Sequence, residues 1–564
     1  MHTSSRIKSI LILFLFLSTS VFAGNGNPVR AKHGMVVTAS DLASDVGIEI
    51  LKKGGNAVDA AVAVGFSLAV TYPNAGNICG GGFMVIHLSN GTNTTLDFRE
   101  MAPLAAYEKM YLDSLGNFVP SLSQEGWTST GVPGTVAGLI YALEKYGTMK
   151  LKDVIQPAID LAEKGFVLSY KSAETINYSY NDFMKIESSR KIFTNNEKKF
   201  EEGNLFVQKD LANTLKLIRD KGKDVFYKSE LAQKIVAESQ KNGGLFTQKD
   251  FENYRIMERK PVEGTYHGYK IISMGPPSSG GICLIEALNV LENYSFKKES
   301  WNGSEYLHTL VEVMKHIYAD RAEHMGDADF YPVPVDFLIS KRYAAKIKET
   351  IHKEAVPSLL IAASKINEHE SKETTHYSVA DQFGNAVSTT YTLNGAFGNK
   401  IVVEGLGCLL NNEMDDFSAK PGVPNQFGLV GSKANSIQPQ KRMLSSMTPT
   451  IILKNDKPFM VVGSPGGSTI ITSVLQVILN VLDFNMNIND AINAPRIHHQ
   501  WLPDKIDYEP FSLSEDVKTN LIKRGHIFGN EQSLGRVEGI VIDNNTNTFL
   551  GTSDPRGYGK AAGY

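Results

Sequence analysis

The stretch Thr374-Thr375-His376-Tyr377-Ser378-Val379-Ala380-Asp381-Gln382-Phe383-Gly384-Asn385-Ala386-Val387-Ser388-Thr389-Thr390-Tyr391-Thr392 sets two runs rich in Val, Thr and Tyr around a Gly-Asn turn. Thr375, Tyr377 and Val379 alternate with polar neighbours, and this pattern predicts two antiparallel strands. A turn centred on Phe383 pairs Ala380 with Ala386 and, counting outward, Thr374 with Thr392. Directly opposed Cβ atoms lie ~4.5–5.5 Å apart, so two hydroxyls can meet there.

A threonine hydroxyl is a weak nucleophile and needs a base. The α-amine of an N-terminal threonine, with a pKa of ~7.7–8.0, supplies one, whereas an internal amide nitrogen does not. If Thr374 is a nucleophile, the chain must therefore be cut between Glu373 and Thr374. The same Oγ can make that cut by attacking the Glu373 carbonyl and forming an ester that water hydrolyses. On pattern alone Thr374 and Thr375 fit equally as ordinary strand threonines, since threonine is enriched in strands.

Upstream, residues 345–373 read as a polar linker, with Lys, Glu, Ser and His dominating 365–373, which suits an exposed cleavage point. Before it, helical and strand-like segments alternate. Gly55-Asn56-Ala57-Val58-Asp59-Ala60-Ala61-Val62-Ala63-Val64 reads as a tightly packed helix with capping residues at its start. Strands are expected at 83–88 and 94–98, and a charged, mostly helical stretch at 150–260. The loop Gly275-Pro276-Pro277-Ser278-Ser279-Gly280-Gly281 opens a helix through Leu291. Downstream, hairpins are expected at 448–462 and 537–551. Ser464-Pro465-Gly466-Gly467-Ser468 opens an apolar helix that runs to Leu482. Gly466 and Gly467 offer two successive N–H groups at a helix start, which suits an oxyanion and also fits a plain strand-to-helix turn.

The chain has 564 residues, 42% hydrophobic and 21% charged, enough for a large globular core. A formal net charge of −3 gives no basic field, so nucleic-acid partners are set aside. Arg6 and Lys8, the apolar run 10–17 and Val21-Phe22-Ala23 predict a signal segment, 1–23, cleaved after Ala23. That run is short of the ~20 residues of a membrane span, and no later segment reads as one. Export to a bacterial periplasm or to the extracellular space follows. Cys79, Cys283 and Cys408 are odd in number, match no metal spacing and carry no nucleophile role.

The motifs resemble those of the γ-glutamyltranspeptidases, which are N-terminal nucleophile hydrolases. The matching segments are Thr374-Thr375-His376-Tyr377-Ser378-Val379, Asn411-Asn412-Glu413-Met414-Asp415-Asp416-Phe417, Leu444-Ser445-Ser446-Met447-Thr448-Pro449 and Gly463-Ser464-Pro465-Gly466-Gly467-Ser468. They occur in the family's order and approximate spacing. Asp97-Phe98-Arg99-Glu100, Gly131-Val132-Pro133-Gly134 and Ser553-Asp554-Pro555-Arg556 also match. The resemblance implies an α/β fold, a four-layer αββα sandwich with two central antiparallel sheets. It implies a large subunit, 24–373, and a small subunit, 374–564, forming one composite fold. Thr374 becomes the nucleophile, Thr392 its support, and the Gly466 and Gly467 N–H groups the oxyanion hole. Arg99, Ser445 and Ser446 would hold a substrate α-carboxylate, and Glu413 and Asp416, with Asn394, its α-ammonium. A γ-glutamyl group would pass from glutathione or a related compound to Thr374, then to water, an amino acid or a dipeptide. Neither cofactor nor metal is implied.

Residues 419–430 match the family's lid, but Phe427 stands where many bacterial members have tyrosine, so the tyrosine's hydroxyl hydrogen bond is lost while gating by packing of the ring stays open. Within the fold, the alternatives are a glutaryl acylase and a poly-γ-glutamate hydrolase. Outside it stands an uncleaved periplasmic binding protein for glutamyl peptides. Intact Glu413 and Asp416 argue against the acylase, because a glutaryl group has no α-ammonium. Asp320, Glu323, His324, Asp327 and Asp329 imitate a metal cluster but lack a zincin-like pattern, and His498-His499 reads as a structural pair.

Overall fold

The computed structural model describes residues 26–362 and 374–564. The signal segment 1–23, the stretch 365–373 and Glu373 lie outside the described residues.

The hairpin forms with the expected register: Thr375 pairs with Tyr391, and the pairing runs to Ala380 opposite Ala386. One step further outward sets Thr374 across from Thr392. The hairpin is the centre of a seven-stranded antiparallel sheet. Gly34–Thr38 pairs with one side of it and Gly81–His87 with the other. Lys560–Gly563, Asn93–Asp97 and Met257–Arg259 complete that sheet. A second antiparallel sheet of seven strands is built around Thr450–Lys454 and Lys457–Gly463. Tyr269–Ser273 and Val262–Tyr266 extend it on one side; Glu538–Asp543, Thr548–Ser553 and Val29–Ala31 extend it on the other. Both sheets thus mix strands from before and after Thr374.

Two-residue periodicity explains the layering. Met35, Val37, Phe83, Val85 and Ala380 point between the sheets and meet Ile272, Ile451, Val461 and Ile540. Their neighbours Val36, Met84, Ile86 and Val379 point outward onto helices Asp41–Lys52, Ala57–Thr71, Thr135–Tyr146 and Leu151–Lys164. The second sheet is covered by Gly280–Leu291, Ser304–His324 and Ile470–Leu482. The result is the expected αββα sandwich. Among the described residues no helix is long and apolar enough to cross a membrane.

Helix Ala57–Thr71 is buried along its whole length, which its small residues permit. Asn56 and Asp59 form a reciprocal capping box, worth about 1 kcal/mol. Asp59 also accepts from Thr148 and Met149, tying the end of a neighbouring helix to this start. The linker reading of 345–373 needs correction. Residues to Thr350 belong to helix Lys341–Thr350, and Ser358–Ile361 is a further short helix. Ala344 and Ile347 lie one helical step apart and are both buried, an apolar stripe too short to stand out among Lys and Glu.

Ser553-Asp554-Pro555-Arg556 is a structural hub. Asp554 Oδ2 accepts from Arg496 Nη2 at 2.7 Å and from the Val537 amide at 2.8 Å, and Oδ1 accepts from the Arg556 amide at 3.0 Å. Burial alone would raise this carboxyl, but Arg496 and Arg556 hold it below its ordinary value. Removing one member of a buried pair leaves an uncompensated charge. We expect Asp554→Ala to cost about 3–5 kcal/mol in urea unfolding; a loss below about 1 kcal/mol would reduce the hub to a surface-like pair.

Candidate active site

Strand parity separates the two adjacent threonines. Tyr377 and Val379 belong to the helix-side core and Ala380 to the core between the sheets. Thr375 therefore points toward the helices, where its buried Oγ1 finds no partner among the described residues. Thr374, His376 and Ser378 point toward the second sheet. Ser378 Oγ donates to Glu538 O, and Ser388 Oγ donates to Val462 O while accepting from Thr450 N. Hydroxyls on this face thus stitch the sheets together. His376 is fully buried between Thr390 Oγ1 and Ser378 Oγ, and burial pushes its imidazole down to about 3, so it stays neutral.

At the open end of this face, Thr374 and Thr392 line a cavity of about 20 Å³. The Asn394 amide donates to Thr392 Oγ1 at 2.8 Å, occupying one lone pair and leaving the hydroxyl proton to be directed elsewhere. Asn394 itself has a positive φ of 76°, and its side chain donates to Asn412 O. Across the cavity, strand Lys457–Gly463 runs into Ser464-Pro465-Gly466-Gly467, where φ is +135° at Gly466 and +55° at Gly467. Only glycine takes the first of these at little cost. Among the described residues neither glycine amide donates to an acceptor. Gly467 lines the cavity at the short turn that enters helix Ile470–Leu482. Ser445 and Ser446 line it too, and the buried Ser446 Oγ finds no partner among the described residues.

The third wall is charged. Arg99 follows strand Asn93–Asp97 and is fixed by Tyr254, whose hydroxyl donates to Arg99 O at 2.9 Å. Its guanidinium donates through Nη1 to Glu413, through Nη2 to Asp416 and through Nε to Met443 O. Glu100 lies 3.7 Å from Nη1. Glu413 and Asp416 sit on the short turn Glu413–Asp416, which Asn411 places. Its Oδ1 accepts from the Glu413 and Gly131 amides, and its Nδ2 donates to Cys79 O. Burial pushes all three carboxyls up, Glu100 to about 7, and Arg99 opposes the shift. Every binding residue expected from the sequence faces this one cavity, and Phe427 does as well. Gly466 immediately precedes its lining residue Gly467.

Sequence reasoning missed Arg321. It projects from helix Ser304–His324 into the cavity, and its charge lowers Asp416 against burial. Its Nε donates to Ser279 Oγ at 3.0 Å, and that hydroxyl donates to Ser445 O. Arg321 thus steadies the serine pair and faces the acids. A lone arginine on an otherwise buried helix face was the available signal. Its acidic neighbours disperse: Asp320 accepts from Tyr343, Asp327 from the Arg442 amide, and Asp329 pairs with Arg259. His498 bonds Thr472 and Gln500, and His499 bonds Asp504. His308, Glu312 and His526 are close enough to share an ion, but the Lys315 ammonium already sits on Glu312, 2.7 Å away.

Removing Arg99 takes from three buried acids the cation they share, leaving Arg321 facing Asp416. Each must then take up a proton, and stability held by a raised carboxyl is lost as pH climbs through its folded pKa. We expect Arg99→Ala to lose thermal stability between about pH 5 and about pH 8 more steeply than the parent chain. Parallel curves of Tm against pH would show that Arg99 does not hold these charges.

Comparison with known proteins agrees with this geometry. A family model described as gamma-glutamyltranspeptidase matches residues 43–564. The chain is 48% identical to the glutathione hydrolase proenzyme of Pseudomonas sp. (strain A14), across 97% of this chain and 96% of that one. It is also 48% identical to the Escherichia coli (strain K12) glutathione hydrolase proenzyme, across 94% and 91%. Among solved structures, the cephalosporin acylase from Bacillus halodurans superposes with a TM-score of 0.85 at 26% identity, covering 98% of this chain and 99% of that one. With its fold, its cavity and its whole length after residue 42 in agreement, the chain belongs to the γ-glutamyltranspeptidase family.

Proposed function

We propose that this chain hydrolyses and transfers γ-glutamyl groups from glutathione and related compounds, after export and a self-made cut between Glu373 and Thr374. The observation that carries this reading is one cavity holding Thr374 together with Arg99, Glu413, Asp416 and the Ser446 hydroxyl, which has no partner among the described residues. Because each sheet contains strands from both sides of Thr374, a cut there leaves the two pieces interlocked as large and small subunits.

The chemistry follows from the walls. After cleavage the Thr374 α-amine takes the proton from its own Oγ, which attacks the γ-carbonyl. The Gly466 and Gly467 amides meet the oxyanion, a contribution whose loss typically costs about 10²–10³ in rate. The leaving amine departs with a proton and the γ-glutamyl ester remains. Water or an amino acid or dipeptide then attacks it. In the free site the Arg99 guanidinium is paired with Glu413 and Asp416. A bound zwitterion exchanges into that pairing: its α-carboxylate takes the guanidinium with Ser445 and Ser446, and its α-ammonium takes Glu413 and Asp416. Each ligand charge meets an opposite charge already in the site, which offsets the cost of taking it out of water.

A glutaryl group would take the guanidinium and leave both acids without a cation. This separates the reading from the acylase activity named for the Bacillus halodurans relative. We expect a γ-glutamyl anilide to be cleaved at least about a hundredfold faster than a glutaryl anilide, the discrimination typical of a site with unpaired polar groups; equal rates would sink the ammonium site. Thr374→Ala should remain one chain on a denaturing gel and release no anilide. A processed, active variant would remove Thr374 as nucleophile. A parent chain that stays uncut, binds glutamyl peptides and never turns over would be a binding protein instead.

A further inference from the structure

Phe427 has no hydroxyl with which to fasten the lid, yet its ring is seated against Gly467. A methyl group added at Gly467 would come within 2.5 Å of the Phe427 ring. The fastening lies two residues earlier. Asn425 Oδ1 accepts from the Phe427 amide at 3.0 Å and the Leu429 amide at 3.2 Å, and its own amide donates to Leu429 O. These bonds build the tip of the lid. The opposite end of the same side chain, Nδ2, donates to Asp416 Oδ1 at 3.1 Å, while Asp416 Oδ2 accepts from Arg99. One carboxylate therefore holds the guanidinium with one oxygen and the lid with the other. Beside it, the Gln426 amide donates to Asp415 Oδ2.

We propose that Asn425 is a positioning residue that latches the lid to Asp416 and thereby sets how the acyl-enzyme divides between water and an amine. The inference rests on the functional reading above. With the latch closed the empty cavity measures about 20 Å³, room for about one water, so donor and acceptor alike enter only with the ring lifted. Once the acyl group is on Thr374 and the donor's amine has left, the ring can reseat over the ester and a water still reaches it. Transfer needs the ring displaced, because the acceptor's α-amine must reach the ester carbonyl. There an N–C bond forms, the bond from carbonyl carbon to Thr374 Oγ breaks, and Oγ takes the proton that the amine loses. The strength of the Asn425–Asp416 bond then weighs one route against the other. The α-ammonium of the bound γ-glutamyl group lies on Asp416 as well, so an occupied site and a closed lid share one oxygen-bearing group.

The test uses the processed full chain, a γ-glutamyl anilide as donor and glycylglycine as acceptor, measuring free glutamate against γ-glutamyl product. Asn425→Ala removes the latch and the tip bonds. Asn425→Asp keeps an acceptor for the Phe427 and Leu429 amides but sets a carboxylate against Asp416, so it breaks the latch alone. Both variants should raise the ratio of transfer to hydrolysis several-fold and lower the KM for acceptor. Phe427→Ala should do the same. A merely structural role would depress both routes together and leave the ratio fixed. If Phe427→Ala moves the ratio and Asn425→Asp does not, Asp416 is not the latch and the proposal falls. A parent chain that releases no anilide sinks both this proposal and the enzyme reading, whereas release with an unmoved ratio in all three variants sinks the latch alone.

Discussion

The register of one hairpin governs the rest of the molecule. In a strand, a slip of one residue turns every side chain to the other face. With Ala380 opposite Ala386, the hydroxyls of Ser378 and Ser388 reach across to the second sheet, and Tyr377 and Val379 pack on the helices. Shifted by one, two apolar residues would enter a polar seam and two hydroxyls an apolar core. That penalty is spread over seven-residue strands flanked on both sides, so Thr374 is held on the inter-sheet face by contacts far from itself. A hydroxyl positioned this way needs little from its immediate surroundings beyond a partner across the strand, and Thr392 stands there.

The second constraint is charge. Arg99, Glu413, Asp416 and Glu100 are withdrawn from water together, and the cost is bearable only because each cation has an acid to face. The site is built around a pairing, and under the proposed function a ligand of both signs would enter it where a ligand of one sign would not. Arg321 strengthens this by keeping Asp416 more acidic than its burial would allow. The proposed selectivity for a zwitterion would thus come from the same electrostatics that make the empty cavity stable.

Much of this was legible in the sequence because it is local. Alternation from Thr375 to Thr392 fixed the hairpin, Asn56 and Asp59 announced a helix start, and the Gly466-Gly467 pair marked a backbone that turns sharply. Strand parity was also readable, and it prefers Thr374 to Thr375 once the side facing the second sheet is known. What could not be read was long-range. No spacing says that the guanidinium at 99 meets carboxylates at 413 and 416, or that Asn411 ties the strand start at Cys79 to the acidic turn. Helix Lys341–Thr350 was hidden because Ala344 and Ile347 alone carry its buried face. Arg321 was hidden inside a decoy: the acidic residues around it drew attention to metal chemistry, while it is the cation that enters the cavity.

Phe427 shows how a missing group can mislead. Judged as a tyrosine without its hydroxyl, it suggests a lid that cannot be fastened. Its peptide neighbours tell otherwise, since Asn425 fixes the amides on both sides of Gly428 and reaches Asp416 with the same side chain. Gln500 adds a bond to Phe427 O at 3.3 Å. An aromatic ring held by its backbone needs only a flat surface to close upon, and Gly467 provides it because any side chain there would strike the ring. The glycine that suits an oxyanion is therefore also the seat of the lid, so the roof of the cavity and its chemistry rest on one backbone turn.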